Sequence, residues 1–369
     1  MINMKILFLT NVPSPYRVEF FNQLGEKSDL TVLYQKKRSS ERDKKWVGES
    51  RNTFKSIYLN GVSTGVDQSI SFDVLKYLDK KKYDFIVICG LASPTEVLAL
   101  TWCKVCRIPY YFESDGGFAK TGKGIKEYLN RFNLFGAQGY FSTGNNHDLY
   151  YLAYGVPYEK IIHYPFSSIT SQDIRLMPVE ATEKKAIRRK HGYDYSTVAV
   201  TVGQFIYRKG IDVLIKAWSN INQNNCLVIV GGEPTKDYLD LIKENNNKNI
   251  YFVPFVEKNV LAEYYAMADF FVLPTREDIW GLVVNEAMCF GLPVISSNRA
   301  AAALEMIEPG CNGYLFENEN ILDLEQKIQR FLNCSNEEKE KMSYAAICTS
   351  REYTIEKMVD KHLEIFKKF

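Results

Sequence analysis

The sequence predicts two doubly wound α/β domains, on three observations. The chain has 369 residues, 46% of them hydrophobic, which is more than one apolar core usually serves. Short β-branched and aromatic runs alternate with segments of helical period, the pattern of a largely parallel sheet with helices on both faces. One stretch, Asp269 to Ser297, reads as a complete strand, loop, helix and strand unit. Its acidic groups fall at the edge where such sheets bind ligands.

Lys5 to Thr10 forms the first strand, followed by the loop Asn11 to Arg17 and a helix from about Val18 to Leu24 with Phe20, Phe21 and Leu24 inward. The loop lacks G-x-G-x-x-G and is no dinucleotide fingerprint. It carries Pro13, Ser14, Pro15, Tyr16 and Arg17, of which Arg17 is a candidate contact for an acceptor or a phosphate, or else a solvated arginine at a helix start. Strands are expected at Leu30 to Tyr34, Phe54 to Leu59, Phe85 to Cys89, Pro109 to Phe112, Gly139 to Ser142 and Lys160 to His163. The run Gln35 to Thr53 is rich in charge and holds Trp46, which suits either solvated surface or contact with an acceptor sugar or membrane headgroup. After Phe112 come Glu113, Ser114 and Asp115, then Gly116, Gly117, Gly122 and Gly124, a loop at the carboxyl end of a strand, where sites are built. Asp115 is a candidate acceptor of a sugar hydroxyl's hydrogen bond. In the following helix Lys120, Lys123, Lys126 and Arg131 cluster with Phe118, Ile125, Leu129 and Phe132. That composition fits a solvated basic helix or one touching an anionic membrane or a lipid diphosphate.

From Phe166 to about Ser196 the chain turns polar and aperiodic, as a linker does. A second domain then opens with the strand Val198 to Val202, the loop Gly203 to Gly210 and a helix from Ile211 to Trp218. Strands follow at Cys226 to Val230 and Ile250 to Val256. Asp269 to Pro274 is a buried strand closed by Pro274 and Thr275. Gly281 to Phe290 suits a short helix, with Gly291 as its stop and Pro293 blocking continuation. Tyr353 to Phe369 has helical period, with Ile355, Met358, Val359, Leu363 and Phe366 apolar. The expected division is therefore 1–170, 171–350 and a terminal helix over 351–369.

The helix start near Gly281 carries the chemistry. Backbone N–H groups of Gly281, Leu282 and Val283 lack intrahelical acceptors and face the carboxyl end of the sheet, where an anion binds. Glu286, about one turn inside, is placed to accept two hydrogen bonds from a vicinal diol such as a ribose, and Asp278 lies on the loop at the mouth. A bland alternative makes Asp278 a helix cap and Glu286 a solvated charge.

The run from Asp278 through Asn285 and Glu286 to Gly291, Pro293 and Val294 resembles the E-x7-E signature, and the E-A-M-x-x-G-x-P-V-I that follows, of family 4 glycosyltransferases. The resemblance implies a GT-B fold of two domains facing across a cleft, a nucleotide-diphosphate-sugar donor and retention of anomeric configuration. It assigns Glu286 to the donor ribose and Asp278 to the transferred sugar. This chain has Asp for the first acid, one methylene shorter, with Glu277 beside it. The family's diphosphate-binding R-x4-K is matched after Gly203 by Lys209, with Gln204 at the arginine position and Arg208 adjacent. Lys209, Arg208, Asp278 and Asp115 are thus the catalytic candidates, and Ser14, Tyr16 and Arg17 belong to the acceptor side. The Pro13 to Arg17 loop is similar to that of bacterial members making surface polysaccharide. Many members carry a histidine where this chain has Glu113, Ser114 and Asp115. Ala300 to Ala303 stand where a glycine is common. Tyr154 to Phe166 resembles the segment ending the family's first domain, onto which the terminal helix packs back. Only the stretch from Asp269 to Val294 is specific.

The formal charge of +2, from 46 basic and 44 acidic residues, argues against a nucleic-acid partner. No D-x-D motif occurs and the four histidines are scattered, so neither metal nor other cofactor is expected. The single CxxC, Cys103 to Cys106, reads as core thiols. With no signal-like start and no run of about 18 apolar residues, the expected place is the cytoplasm, peripheral at the membrane's inner face. The expected function is transfer of a hexosyl group from a nucleotide sugar, with UDP favoured, to a saccharide or lipid-linked acceptor in polysaccharide synthesis. The alternatives are a nucleotide-sugar 2-epimerase or hydrolase on the same scaffold, and a non-catalytic nucleotide-binding subunit.

Overall fold

The computed structural model of the chain describes residues 4–39, 53–119 and 124–368. Trp46, Gly122, Lys120 and Lys123 lie outside the described residues, as do the side chains of Ile125 and Lys126. The chain divides into two compact units, Met1–Ser168 with Thr354–Phe369, and Ile169–Tyr353.

The first unit runs β1 (Lys5–Thr10), α1 (Pro15–Gly25), β2 (Asp29–Tyr34), β3 (Lys55–Tyr58), β4 (Val62–Gly65), β5 (Gln68–Ile70), β6 (Phe85–Cys89), α2 (Pro94–Val105), β7 (Tyr111–Glu113), α3 (Ile125–Leu134), β8 (Tyr140–Ser142), α4 (Asn145–Ala153) and β9 (Ile161–His163). Seven parallel strands lie in the order β3-β2-β1-β6-β7-β8-β9. Apart from them, β4 and β5 form an antiparallel hairpin, which the sequence does not announce because its first strand is polar and exposed. Strands covered on both faces have to be apolar on both, and β1 and β2 each bury all but their first residue. Leu7, Leu9, Leu33, Ile88, Phe112 and Tyr151 belong to one core. Cys103 joins it, whereas Cys106 faces solvent.

The second unit runs α5 (Ala181–His191), β10 (Thr197–Val202), α6 (Ile211–Trp218), β11 (Asn225–Val230), α7 (Lys236–Glu244), β12 (Ile250–Val253), α8 (Lys258–Met267), β13 (Phe270–Leu273), α9 (Leu282–Cys289), β14 (Val294–Ser297), α10 (Ala301–Met306), β15 (Gly313–Phe316), α11 (Ile321–Leu332) and α12 (Asn336–Ser350). Six parallel strands lie in the order β12-β11-β10-β13-β14-β15. Its core holds Trp218, Leu227, Ile229, Phe270, Ile295 and Phe331. Beyond it α13 (Ile355–Lys367) belongs to the first unit, where it packs on α1 and stacks His362 on Phe141 at 4.3 Å and Phe366 on Phe85 at 4.6 Å.

Two expectations need correction. The polar stretch before Ser196 contains α5, whose one buried side chain is Arg188 rather than an apolar stripe. Arg188 pairs with Asp269 at 2.6 Å and donates to the Met267 carbonyl at 2.8 Å, so charge anchors this helix and periodicity could not reveal it. The strand expected to reach Val256 stops at Val253, before Pro254, which has no N–H to give a ladder.

In both sheets the strand order reverses beside the first strand. The chain moves outward through β2 and β3, or through β11 and β12, and then returns to the other side with β6 or β13. The loops leaving β1 and β6, and those leaving β10 and β13, therefore splay apart at a crevice, the usual ligand position in such sheets.

Candidate functional site

In the second unit the two loops at the crevice are stitched together. Gly210 opens α6 with φ 65°, and a Cβ there would stand 2.1 Å from the Pro274 carbonyl oxygen, so only glycine lets these backbones pass. The Arg208 carbonyl accepts from the Arg276 N–H at 2.8 Å and the Thr275 hydroxyl at 2.9 Å. Arg276 clamps the same loop. It donates to the Tyr207 carbonyl at 2.7 Å, forks onto Asp212 at 2.8 and 2.7 Å, reaches Glu319 at 2.6 Å and lies 3.9 Å over the Tyr207 ring.

This stitching sets Lys209 against Asp278. The Lys209 ammonium donates to Oδ2 at 2.5 Å, and the Arg208 guanidinium lies 3.5 Å from Oδ1 while donating to the Glu277 carbonyl at 2.9 Å. The Asp278 backbone is itself fixed, its N–H on the Arg299 carbonyl at 2.8 Å and its carbonyl accepting from Ala301 at 3.2 Å. Glu277 turns to Arg299 at 2.7 Å, so its carboxylate is engaged there rather than doubling for Asp278. Gln204, half-buried, sits in the same loop after Gly203, its carbonyl accepting from Ile206 at 2.9 Å.

Gly281 precedes α9 with φ 104° and ψ 61°. A Cβ there would find ordinary contacts of 3.4 Å or more, so the backbone conformation and not space demands glycine. The turn delivers the first N–H groups of α9, with Leu282 and Val283 half-buried beside them. The Trp280 indole is buried against Asn285, donating to its Oδ1 at 3.1 Å, and so braces the start of the helix. One turn in, Glu286 accepts from the Tyr265 hydroxyl at 3.1 Å. Arg276, Arg299, Trp280 and Tyr265 were not singled out in the sequence. An aromatic inside a helix reads as core, and an arginine in a loop reads as solvated.

The first unit gathers a different cluster at the carboxyl ends of β1 and β7. Arg17 donates to Glu113 at 2.5 Å and to Asp115 at 2.6 Å. Tyr16 donates to the second Asp115 oxygen at 2.7 Å, and Tyr164 to Glu113 at 3.0 Å. His362 of α13 closes on Glu113 at 3.4 Å. Burial alone would push the Glu113 carboxyl up, but Arg17 and His362 bring it down to about 2. Arg17 is thus not the solvated arginine that a helix start suggests, and its side chain is already engaged by two carboxylates. Only 3% exposed, it is the buried counter-ion of two carboxylates. Ser14 is also buried, at the start of α1. Asp115, a third exposed, is the carboxylate of this cluster that meets solvent.

Ser114 has a partner that no local motif announces. Its hydroxyl lies 2.9 Å from His147 Nε2, while His147 Nδ1 accepts from the Thr143 N–H at 3.1 Å. That acceptor role fixes the proton on Nε2, and burial lowers the imidazole to about 3. His147 is a neutral brace for Ser114.

Residues 183–348 match the family model described as glycosyl transferases group 1. An uncharacterized glycosyltransferase of Haemophilus influenzae is 28% identical over 167 residues, 44% of this chain and 46% of that protein. An uncharacterized 41.2 kDa protein in the cps region of Klebsiella pneumoniae is 28% identical over 46% of this chain and 45% of its own length. The matches thus span less than half the length of these curated relatives. Among solved structures, a glycosyltransferase of Rickettsia africae superposes with a TM-score of 0.78 at 17% identity, over 100% of this chain and 99% of the other. Anabaena HepE in complex with UDP and glucose superposes at 0.75 and 15% identity over 100% of both chains. The fold is GT-B.

Proposed function

We propose, for a chain whose residues 183–348 belong to the glycosyl transferases group 1, a retaining, metal-independent transfer of a hexosyl group from a UDP-sugar to a saccharide or lipid-linked saccharide in surface-polysaccharide synthesis. The observation that carries this reading is the Lys209, Arg208 and Asp278 cluster at the strand-order reversal of the second sheet, with α9 starting beside it. Breaking the bond between the sugar and the diphosphate leaves the electron pair on the diphosphate. Lys209, Arg208 and the N–H groups of Gly281, Leu282 and Val283 neutralise that charge. In the free chain Lys209 already holds an anion, Asp278. An incoming diphosphate replaces it, and Asp278 is released to accept from a hydroxyl of the sugar. Glu286 takes the ribose diol, with Gly203 and Gln204 lining the donor loop.

The acceptor is assigned to the first unit, where Asp115 and Tyr16 present the solvent-facing end of the buried cluster. The preference for UDP takes support from Anabaena HepE, solved with UDP and glucose, and the pathway from the Klebsiella relative's place in a cps region. A peripheral membrane contact takes support from α3 and the residue that follows it, which expose Tyr128, Leu129, Phe132 and Phe135 beside Arg131. Among the described residues no helix is long and apolar enough to cross a membrane. Sedimentation with anionic and zwitterionic vesicles tests this. Phe132→Ser should abolish binding to the anionic ones, and equal binding by both proteins removes the contact.

The deciding experiment is a melting-point panel with UDP, GDP and ADP, followed by product analysis with UDP-sugars. UDP at about 100 times its dissociation constant adds about 2.7 kcal/mol of stability. An epimer formed without acceptor makes the chain an epimerase, and UDP bound without turnover makes it a binding subunit. No shift with any nucleotide removes the donor site.

A further inference from the structure

We infer that Tyr265 is a positioning residue, which fixes the Glu286 carboxylate in the orientation a ribose diol requires. This rests on the assignment of Glu286 to the donor. A glutamate side chain turns about three bonds, and a carboxylate that must meet two hydroxyls at once binds better if its rotation is already restricted. Tyr265 supplies that restriction from α8, across the sheet strand that intervenes before α9. Its hydroxyl donates to Glu286 Oε2 at 3.1 Å.

The hydroxyl is itself held in place. Tyr265 is only 2% exposed, its ring stacked on Phe290 at 5.6 Å and packed against Phe271 of β13 at 6.0 Å. Both aromatics belong to the strand, loop and helix unit that carries Glu286. A phenylalanine would satisfy those ring contacts equally, so packing does not account for the oxygen. Buried phenol oxygens require a hydrogen-bond partner, and here that partner is a carboxylate one turn inside the site. Burial, then the Glu286 charge, hold the phenol well above its ordinary range. It therefore stays protonated and donates throughout the pH range of the protein. The same pairing on any other helix would be a packing detail.

Three titrations test the role. Tyr265→Phe should weaken UDP binding roughly three- to tenfold, the range of one lost hydrogen bond, with the unfolding midpoint nearly unchanged. The loss should vanish for 2′,3′-dideoxy-UDP, which has no diol to receive. On a Glu286→Gln background, Tyr265→Phe should add nothing. An equal loss for both nucleotides, or a loss that adds to that of Glu286→Gln, overturns the inference and makes Tyr265 structural. If Glu286→Gln weakens UDP and Tyr265→Phe does not, the inference alone fails. If Glu286→Gln leaves UDP binding intact, the donor reading of Glu286 fails with it.

Discussion

Arg17 in the first unit and Lys209 in the second each hold a carboxylate at the carboxyl end of a parallel sheet, but one pair is sealed and the other keeps an exposed second cation, Arg208, beside it. The Arg17 side chain is 4% exposed and Glu113 not at all; Lys209 and Asp278 are 14% and 11% exposed, with Arg208 beside them at 42%. A buried ion pair gains little over apolar packing, yet removing one partner strands the other charge in a poor solvent. Asp278 has two cations, so losing one leaves it with the other. The same chemistry therefore does opposite work. In the first unit it locks Tyr16 and Asp115 in place, and in the second it shares one carboxylate between two cations.

The sharpest way to break this contrast is Arg17→Met, which should cost about 3–5 kcal/mol in denaturant unfolding because Glu113 loses its counter-ion. Lys209→Ala leaves Arg208 3.5 Å from Asp278 as a counter-ion, so it should cost less in unfolding than Arg17→Met, yet depress turnover about 100- to 1,000-fold, as loss of one donor to developing charge does elsewhere. Equal stability losses for the two variants would erase the distinction. Next in size is the pair of acids. Glu286→Gln should weaken UDP by up to about 1.5–3 kcal/mol, whereas Asp278→Asn frees Lys209 and should leave UDP binding unchanged or tighter while turnover falls. Calorimetric titration of both variants with UDP and with donor decides it, and a parallel loss would mean the two carboxylates share one role.

A further effect is in acid. Glu113 sits at about 2 in the fold against an ordinary 4.5, so it stabilises the native state fully above about 4.5. That contribution is lost as pH falls from about 4.5 towards 2. Glu113→Gln should flatten the unfolding free energy over this window.

Sheet and helix positions were legible wherever burial on both faces writes a continuous apolar run. β6, α6 and the strand, loop and helix around Glu286 stand where the sequence placed them, within a residue or so. The loop geometry at Lys209 was legible only in part. The Gly210 spacing was visible, but the clamp from Arg276 comes from 64 residues away and has no local period. Arg17 misled for the same reason. A cation at a helix start looks solvated until Glu113, 96 residues on, turns out to face it inside the core. α5 hid because a helix anchored by one buried arginine leaves no apolar stripe to count.

His362 has a further consequence for the order in which the protein assembles. The second unit is continuous, residues 169–353, but the first is split around it and takes His362 and Phe366 from α13. On a ribosome adding about 5–20 residues per second, those side chains follow Glu113's strand by roughly ten seconds to most of a minute. Until they arrive, the Phe85 and Phe141 rings lack the partners that stack on them in the fold. The second unit has every residue it needs before the first does, and the first is completed only by the segment made after it. A chaperone binding those rings should therefore be released on synthesis of α13.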